Sequence, residues 1–127
     1  MTGDVTAGRI DAATLRLARV AVNAAEDKQG HDTIVLDVGD VLAITQLFVV
    51  TSASNQRQLR TIAGEVSEKV RLLCDRSPRH TEGAGDDQWI LLDYGDVVVH
   101  VFAEEARRFY EIERLYRDVP VVDVRGA

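Results

Sequence analysis

The sequence predicts a single α/β domain, a mixed four- to five-stranded sheet packed with helices in the order α-β-β-α-β-β-β-α. Three observations carry that prediction. The chain has 127 residues, one domain's length, at which folding buries roughly two-thirds of the unfolded surface without help from disulfides or metals. Two long segments repeat apolar residues at helical spacing. Between and after them lie short runs rich in β-branched residues, apolar almost without interruption, as strands covered on both faces are.

Each element has its own signal. Residues 1–9 are small and polar and are expected to be a loose tail. Asp11 is placed to cap the first helix, with Ile10, Ala13, Leu17, Val20 and Ala24 on one stripe. That helix should stop near Gly30, and its many alanines predict close packing on a sheet. Residues 33–38 read as a strand, Gly39 and Asp40 as a turn, and residues 45–51 as an antiparallel partner. Ser54 and Asn55 are equally good caps for a second helix, and Asn55 with Gln58 resembles a capping box. Its buried stripe is Leu59, Ile62, Val66, Val70 and Leu73; Ser77 and Pro78 end it. If the strands flanking this helix are parallel neighbours, it forms a right-handed crossover.

Residues 80–87 offer at most a short edge strand and a glycine-rich loop. Strands over 88–93 and 97–102 follow, joined by a turn at Tyr94, Gly95 and Asp96. Glu104 and Glu105 favour the start of a last helix by their charge, with Phe109, Ile112 and Tyr116 as its stripe. Pro120 marks the exit. The domain is thus expected over 10–118, with a C-terminal tail over 119–127 whose valines extend or pair weakly.

Composition excludes several classes. With 46% hydrophobic and 28% charged residues, the chain has the profile of a soluble globular protein rather than a disordered one. No apolar run reaches the roughly 20 residues that span a bilayer, and Met1-Thr2-Gly3-Asp4 is not the start of a signal peptide. Neither membrane insertion nor secretion is expected. Fifteen basic against twenty-one acidic residues leave a net charge of −6. Phosphate backbones are bound by clustered Lys and Arg, so little direct nucleic-acid contact is expected, and a basic protein partner suits the charge better. Cys74 is the only cysteine. It forms no intrachain disulfide, points to a reducing, cytoplasmic home, and reads as a small buried hydrophobe.

Enzyme chemistry has candidates but no assembled motif. Asp37, Asp40, Asp93 and Asp96 stand at strand ends and turns, where gathered carboxylates hold Mg²⁺, and His100 is a possible base. The same residues are turn formers first, and Asp37 equally well caps backbone amides. No Ser/His/Asp or Cys/His arrangement has local support. Gly83 and Gly85 do not make a phosphate cradle, because no Lys-Ser/Thr pair follows. No catalytic residue, metal site or cofactor is expected.

The densest apolar stretch runs from Trp89 to Phe102. Trp89, Leu91 and Asp93 share one face of their strand, Ile90, Leu92 and Tyr94 the other. On the next strand Val97, Val99 and Val101 alternate with Val98, His100 and Phe102. An apolar surface with an aromatic anchor suits a protein interface; equally, the last helix covers it as core. Pattern alone leaves both readings open.

The string Trp89-Ile90-Leu91-Leu92-Asp93-Tyr94-Gly95-Asp96-Val97-Val98-Val99-His100-Val101-Phe102 closely resembles the signature of the Iojap family, the ribosomal silencing factors (RsfS). So does Ala106-Arg107-Arg108-Phe109-Tyr110-Glu111-Ile112-Glu113-Arg114-Leu115-Tyr116. Upstream, Asp32-Thr33-Ile34-Val35-Leu36-Asp37-Val38, the helix entry Ser54-Asn55-Gln56-Arg57-Gln58, and Glu82-Gly83 also look like the family. The resemblance runs over about residues 12–120. Tyr116, where many members have tryptophan, and the segment after Pro120 depart from it.

The resemblance implies a non-enzymatic translation regulator. Such a protein binds the large ribosomal subunit through one ribosomal protein on the intersubunit face, the fourteenth in the bacterial large-subunit numbering. It thereby blocks joining of the small subunit and represses translation when nutrients are scarce; organellar relatives act in ribosome biogenesis. The resemblance also implies a fold like that of nucleotidyltransferases without their catalytic motif, since Ser52-Ala53-Ser54 is not followed by an Asp-x-Asp pair. The expected partner site is Trp89, Leu91, Asp93, Tyr94, Asp96, Val99 and His100, with Trp89 as anchor and Asp96 as charged contact. Phe109 and Ile112 are expected behind it as core. Two alternatives stand beside this: a divergent Mg²⁺-dependent nucleotidyl- or phosphoryl-transfer domain using Asp37, Asp93 and Asp96, and a homodimeric interaction module.

Overall fold

The structure, a computed structural model, describes residues 10–83, 85 and 88–125. The expected N-terminal tail over 1–9 lies outside the described residues, as does part of the glycine-rich loop. In chain order the elements are α1 (Ala12–Asp27), β1 (His31–Asp37), β2 (Leu47–Ala53), α2 (Gln56–Cys74) and β3 (His80–Glu82). They continue with β4 (Trp89–Asp93), β5 (Val97–Ala103), α3 (Glu104–Tyr110) and α4 (Ile112–Leu115). The strands form one mixed sheet in the order β1-β2-β5-β4-β3.

β1 pairs antiparallel with β2, as the two apolar runs predict. β2 runs parallel to β5 in unbroken register from Leu47 opposite Val97 to Ala53 opposite Ala103. β4 pairs antiparallel with β5, and the short edge strand β3 with β4. The strands flanking α2, β2 and β3, are not neighbours, so the condition for a simple crossover is not met: β5 and β4 lie between them. After Pro120 the chain returns to β1, where Asp37 N–H donates to the Pro120 carbonyl and Val122 N–H to that of Val35. Val122 and Val124 are thereby buried.

The side-chain alternation of the strands divides the core in two. Val35, Leu47, Val49, Val97, Val99, Val101, Ile90 and Leu92 pack beneath α1 and α2. On the other face Leu36, Phe48, Val50, Val98 and Phe102 pack with Ala106 and Ile112 of the short helices, and with Tyr116 and Val119 beyond them. Ala18, Ala21 and Ala25 are fully buried; their small side chains let α1 approach its neighbours closely.

Helix boundaries follow their capping chemistry at α2. The Asn55 carboxamide oxygen accepts from Gln58 N–H at 2.8 Å, and the Gln58 side chain reaches back to the N–H of Ser54 rather than to that of Asn55. Asp11, by contrast, makes no side-chain cap bond to α1. Three expectations shift by part of a helical turn. In α1 the buried face centres on Thr14, Leu17, Ala18, Ala21 and Ala25, and Ala13 is exposed. In α2 the stripe continues from Val70 to half-buried Cys74, one period on, and leaves Leu73 at 53% exposure. The expected single last helix is broken at Glu111, whose φ of 49° is left-handed. A continuous helix would place Phe109, Ile112 and Tyr116 on one face. The break turns Phe109 outward to 80% exposure while Ile112 stays buried.

Candidate functional site

The β4–β5 hairpin is fixed before it offers any surface. The Asp93 carboxylate accepts from Gly95 N–H at 2.7 Å, Tyr94 N–H donates to the Val97 carbonyl, and Gly95 takes a φ of +94°. Asp96 locks the turn to the helix layer. Its carboxylate accepts from Thr14 of α1 at 2.6 Å and from both terminal nitrogens of Arg76, at 2.8 and 3.1 Å. Burial alone would raise the Asp96 carboxyl, but the bonds from Arg76 and Thr14 outweigh it and hold the group below its ordinary range. Asp93 meets Arg79 at 3.4 Å.

The seven expected site residues are thus not brought to one surface. Trp89, Leu91, Asp93 and His100 stand on the face away from α1 and α2, as the alternation predicts. Tyr94 and Val99 point the other way and are buried under the helices; burial pushes the Tyr94 hydroxyl up to about 12, against the pull of Ser67. Asp96 sits at the turn, engaged by Arg76. Tyr94, Val99 and Asp96 therefore hold the hairpin in place, and Trp89, Leu91, Asp93 and His100 stand on the other face.

On that face the aromatic rings form a chain. Trp89 stacks on Phe102 with centroids 4.7 Å apart and lies 5.0 Å from Tyr110. Tyr110 in turn meets Phe109 edge-on at 5.1 Å. Beneath, His100 packs against Phe48 at 4.5 Å, and Phe48 against Tyr116 at 5.3 Å. Separations of this order are those of favourable aromatic pairs. The outer members are open: Phe109 is 80% and Tyr110 47% exposed, with Leu115 at 76% nearby in sequence. Trp89 and Leu91 are half-buried at its base.

His100 is the polar member of this cluster. Its Nδ1 accepts the Trp89 indole N–H at 3.2 Å, so a neutral ring carries its proton on Nε2. Burial pushes its pKa down to about 4, so the ring is neutral near pH 7. Nε2 is buried without a hydrogen-bond partner among the described residues.

Two features escaped the sequence reading. Phe109 and Tyr110 belong to the open patch, and only the left-handed residue at 111, which no glycine announces, reveals it. Arg107 is the other. Although charged, it is buried on the inner face of α3, donating to Ser52 Oγ at 2.7 Å and to Glu113 at 3.1 Å. It ties the short helices to the end of β2.

The carboxylates do not converge. Asp37 accepts from Gly39 N–H and from the Gln46 side chain at 2.6 Å, Asp93 serves its own turn, and Asp96 serves Arg76 and Thr14. Among the described residues no group of three or more His, Cys, Asp or Glu is gathered closely enough to hold a metal ion.

Fold and site together define a mixed α/β domain that presents an exposed aromatic patch from a braced hairpin and a broken helix. Comparison with known proteins gives the family. Residues 11–127 match the family model described as ribosomal silencing factor during starvation, and the chain belongs to that family, which includes Iojap. It is 34% identical over 110 residues to the ribosomal silencing factor of Halalkalibacterium halodurans, covering 87% of this chain and 93% of that protein. It is 28% identical to a mouse protein named for mitochondrial assembly of the ribosomal large subunit, over 75% of this chain and 42% of that one. A crystal structure of a Chromobacterium violaceum protein superposes with a TM-score of 0.77 at 32% identity, covering 80% of this chain and 84% of that one.

Proposed function

We propose that this protein binds the large ribosomal subunit through one ribosomal protein on the intersubunit face, the fourteenth in the bacterial large-subunit numbering. Bound there, it blocks joining of the small subunit sterically and represses translation. The observation that carries the reading is the open aromatic chain Phe109-Tyr110-Trp89, seated on a rigid hairpin with Leu91 beside it. Large apolar groups exposed in one place are how protein interfaces are anchored, and Trp and Tyr dominate the binding energy of such interfaces.

The net charge of −6 supports a basic protein as the contact and disfavours the surrounding rRNA phosphates. A steric block needs no chemistry, in keeping with the separate engagement of Asp37, Asp93 and Asp96. The proposed site of action is the cytoplasm; separately, no described helix is long and apolar enough to cross a membrane. Off the ribosome, the same patch is available to a second copy of the chain.

The test is sucrose-gradient sedimentation of purified subunits with and without the protein at matched Mg²⁺. Co-migration with the large subunit and a reduced joined-ribosome peak are expected. A protein that stays at the top of the gradient while joining proceeds unchanged overturns the reading.

A further inference from the structure

Beside the indole of Trp89 lies a cavity of about 200 Å³, walled by Glu82, Gly83, Trp89 and Leu91. It is smaller than the roughly 300–1,000 Å³ of small-molecule sites and suits one inserted side chain. The β3–β4 ladder sets Glu82 directly opposite Leu91, and opposed residues share a face of the sheet. A carboxylate therefore stands at the edge of an otherwise apolar hollow. Gly83 is fixed at its wall by the backbone: its φ is +76°, and a Cβ there would lie 2.1 Å from the Trp89 carbonyl oxygen.

We infer that this cavity receives an arginine side chain of the basic protein on which the patch docks. The inference rests on the docking reading above and names the group that enters. A guanidinium is planar and weakly hydrated, so it packs against an indole while donating two parallel bonds to a carboxylate. A lysine ammonium supplies the charge without the flat face, and an anionic guest meets Glu82 and the negative charge of the whole chain. Glu82 is accessible for the exchange: its ion pair with His80, at 3.1 Å, leaves the two side chains 63% and 60% exposed.

The test has two arms. In the first, the full-length protein is titrated with acetyl-arginine amide while nitrogen-15 NMR follows the single indole N–H and the Gly83 amide. Saturable shifts are expected with acetyl-arginine amide, none with acetyl-citrulline amide, and none in Glu82→Gln. Equal shifts with both compounds, or none with either, overturn the assignment. In the second, large-subunit binding of Glu82→Gln is compared with wild type and with Glu68→Gln, a control on the exposed side of α2. About a tenfold loss is expected for Glu82→Gln alone. If wild type binds and Glu82→Gln binds equally, the cavity assignment falls and the docking reading stands. If wild type does not bind, the docking reading falls, and the titration alone decides the cavity's preference.

Discussion

The Trp89 indole N–H and His100 Nδ1, 3.2 Å apart, join the exposed patch to the buried sheet through one bond. It requires an unprotonated Nδ1, which burial ensures by lowering the His100 pKa from 6.5 to about 4. The unfolded chain then binds more protons than the native one between those values. Stability is complete above pH 6.5, falls as pH drops through the window, and levels off below about 4. The depression corresponds to about 3 kcal/mol in all. Urea unfolding of wild type and His100→Gln across this range is expected to show the steeper pH dependence in wild type. Parallel slopes would show that the buried imidazole is not neutral by burial.

Asp96 and Arg76 give the opposite case, a charge pair used for construction. Asp96→Asn leaves Arg76 facing an amide and is expected to cost about 1–3 kcal/mol at neutral pH. Because the native carboxyl is held below its usual range, its contribution is present above the unfolded value of about 3.9 and disappears only on further acidification. If Asp96 acts within the fold alone, the variant keeps large-subunit binding within about twofold when assayed well below its melting temperature. A loss of binding without a loss of stability would return Asp96 to the contact surface.

What the sequence revealed and what it concealed follow from the range of the forces involved. Strand existence, the β1–β2 pairing and the two faces of the β4–β5 hairpin were legible, because alternation and β-branching act over a few residues. The Asn55 cap was legible for the same reason. The failures are tertiary. Asp96 and Arg76 are twenty positions apart in sequence, so nothing local showed that the carboxylate was already engaged. Phe109 obeys the helical period of Ile112 and Tyr116, which predicts a core position. Glu111, in a left-handed conformation without being glycine, breaks that period, and Arg107 takes the inward place by bonding Ser52 fifty-five positions away. The family resemblance singled out the hairpin, and the structure divides its residues into buried, turn-bracing and open ones.

Phe109 tests that separation directly. At 80% exposure it contributes little to the folded state, and Phe109→Ser is expected to change unfolding free energy by no more than about 0.5 kcal/mol. In a docking patch the same change removes an aromatic anchor and is expected to weaken large-subunit binding about tenfold or more. Phe102→Ala, at a fully buried ring on the same face, is expected to cost about 3–5 kcal/mol of stability. Denaturant unfolding beside co-sedimentation distinguishes the two. A Phe109→Ser variant that binds like wild type places the interface elsewhere.

Two glycines make the local backbone testable, because one chemical change should have opposite signs. Gly64 lies within α2 with nothing within 4 Å of the Cβ it lacks. Gly64→Ala therefore adds helix propensity without a clash and is expected to stabilise by about 0.5–1 kcal/mol. Gly83→Ala adds the same carbon where φ is +76° and the Trp89 carbonyl oxygen would be 2.1 Å away. Either the left-handed turn or the β3–β4 ladder must give, at a cost of about 1–3 kcal/mol. Since Trp89 is the only tryptophan, intrinsic fluorescence reports the second change at its source. Gly83→Ala is expected to lower the unfolding midpoint and shift the emission of the native state, whereas Gly64→Ala raises the midpoint and leaves the emission unchanged. A neutral Gly83→Ala would mean that β3 does not approach Trp89 as closely as the structure has it, and the cavity beside the indole would lose its floor.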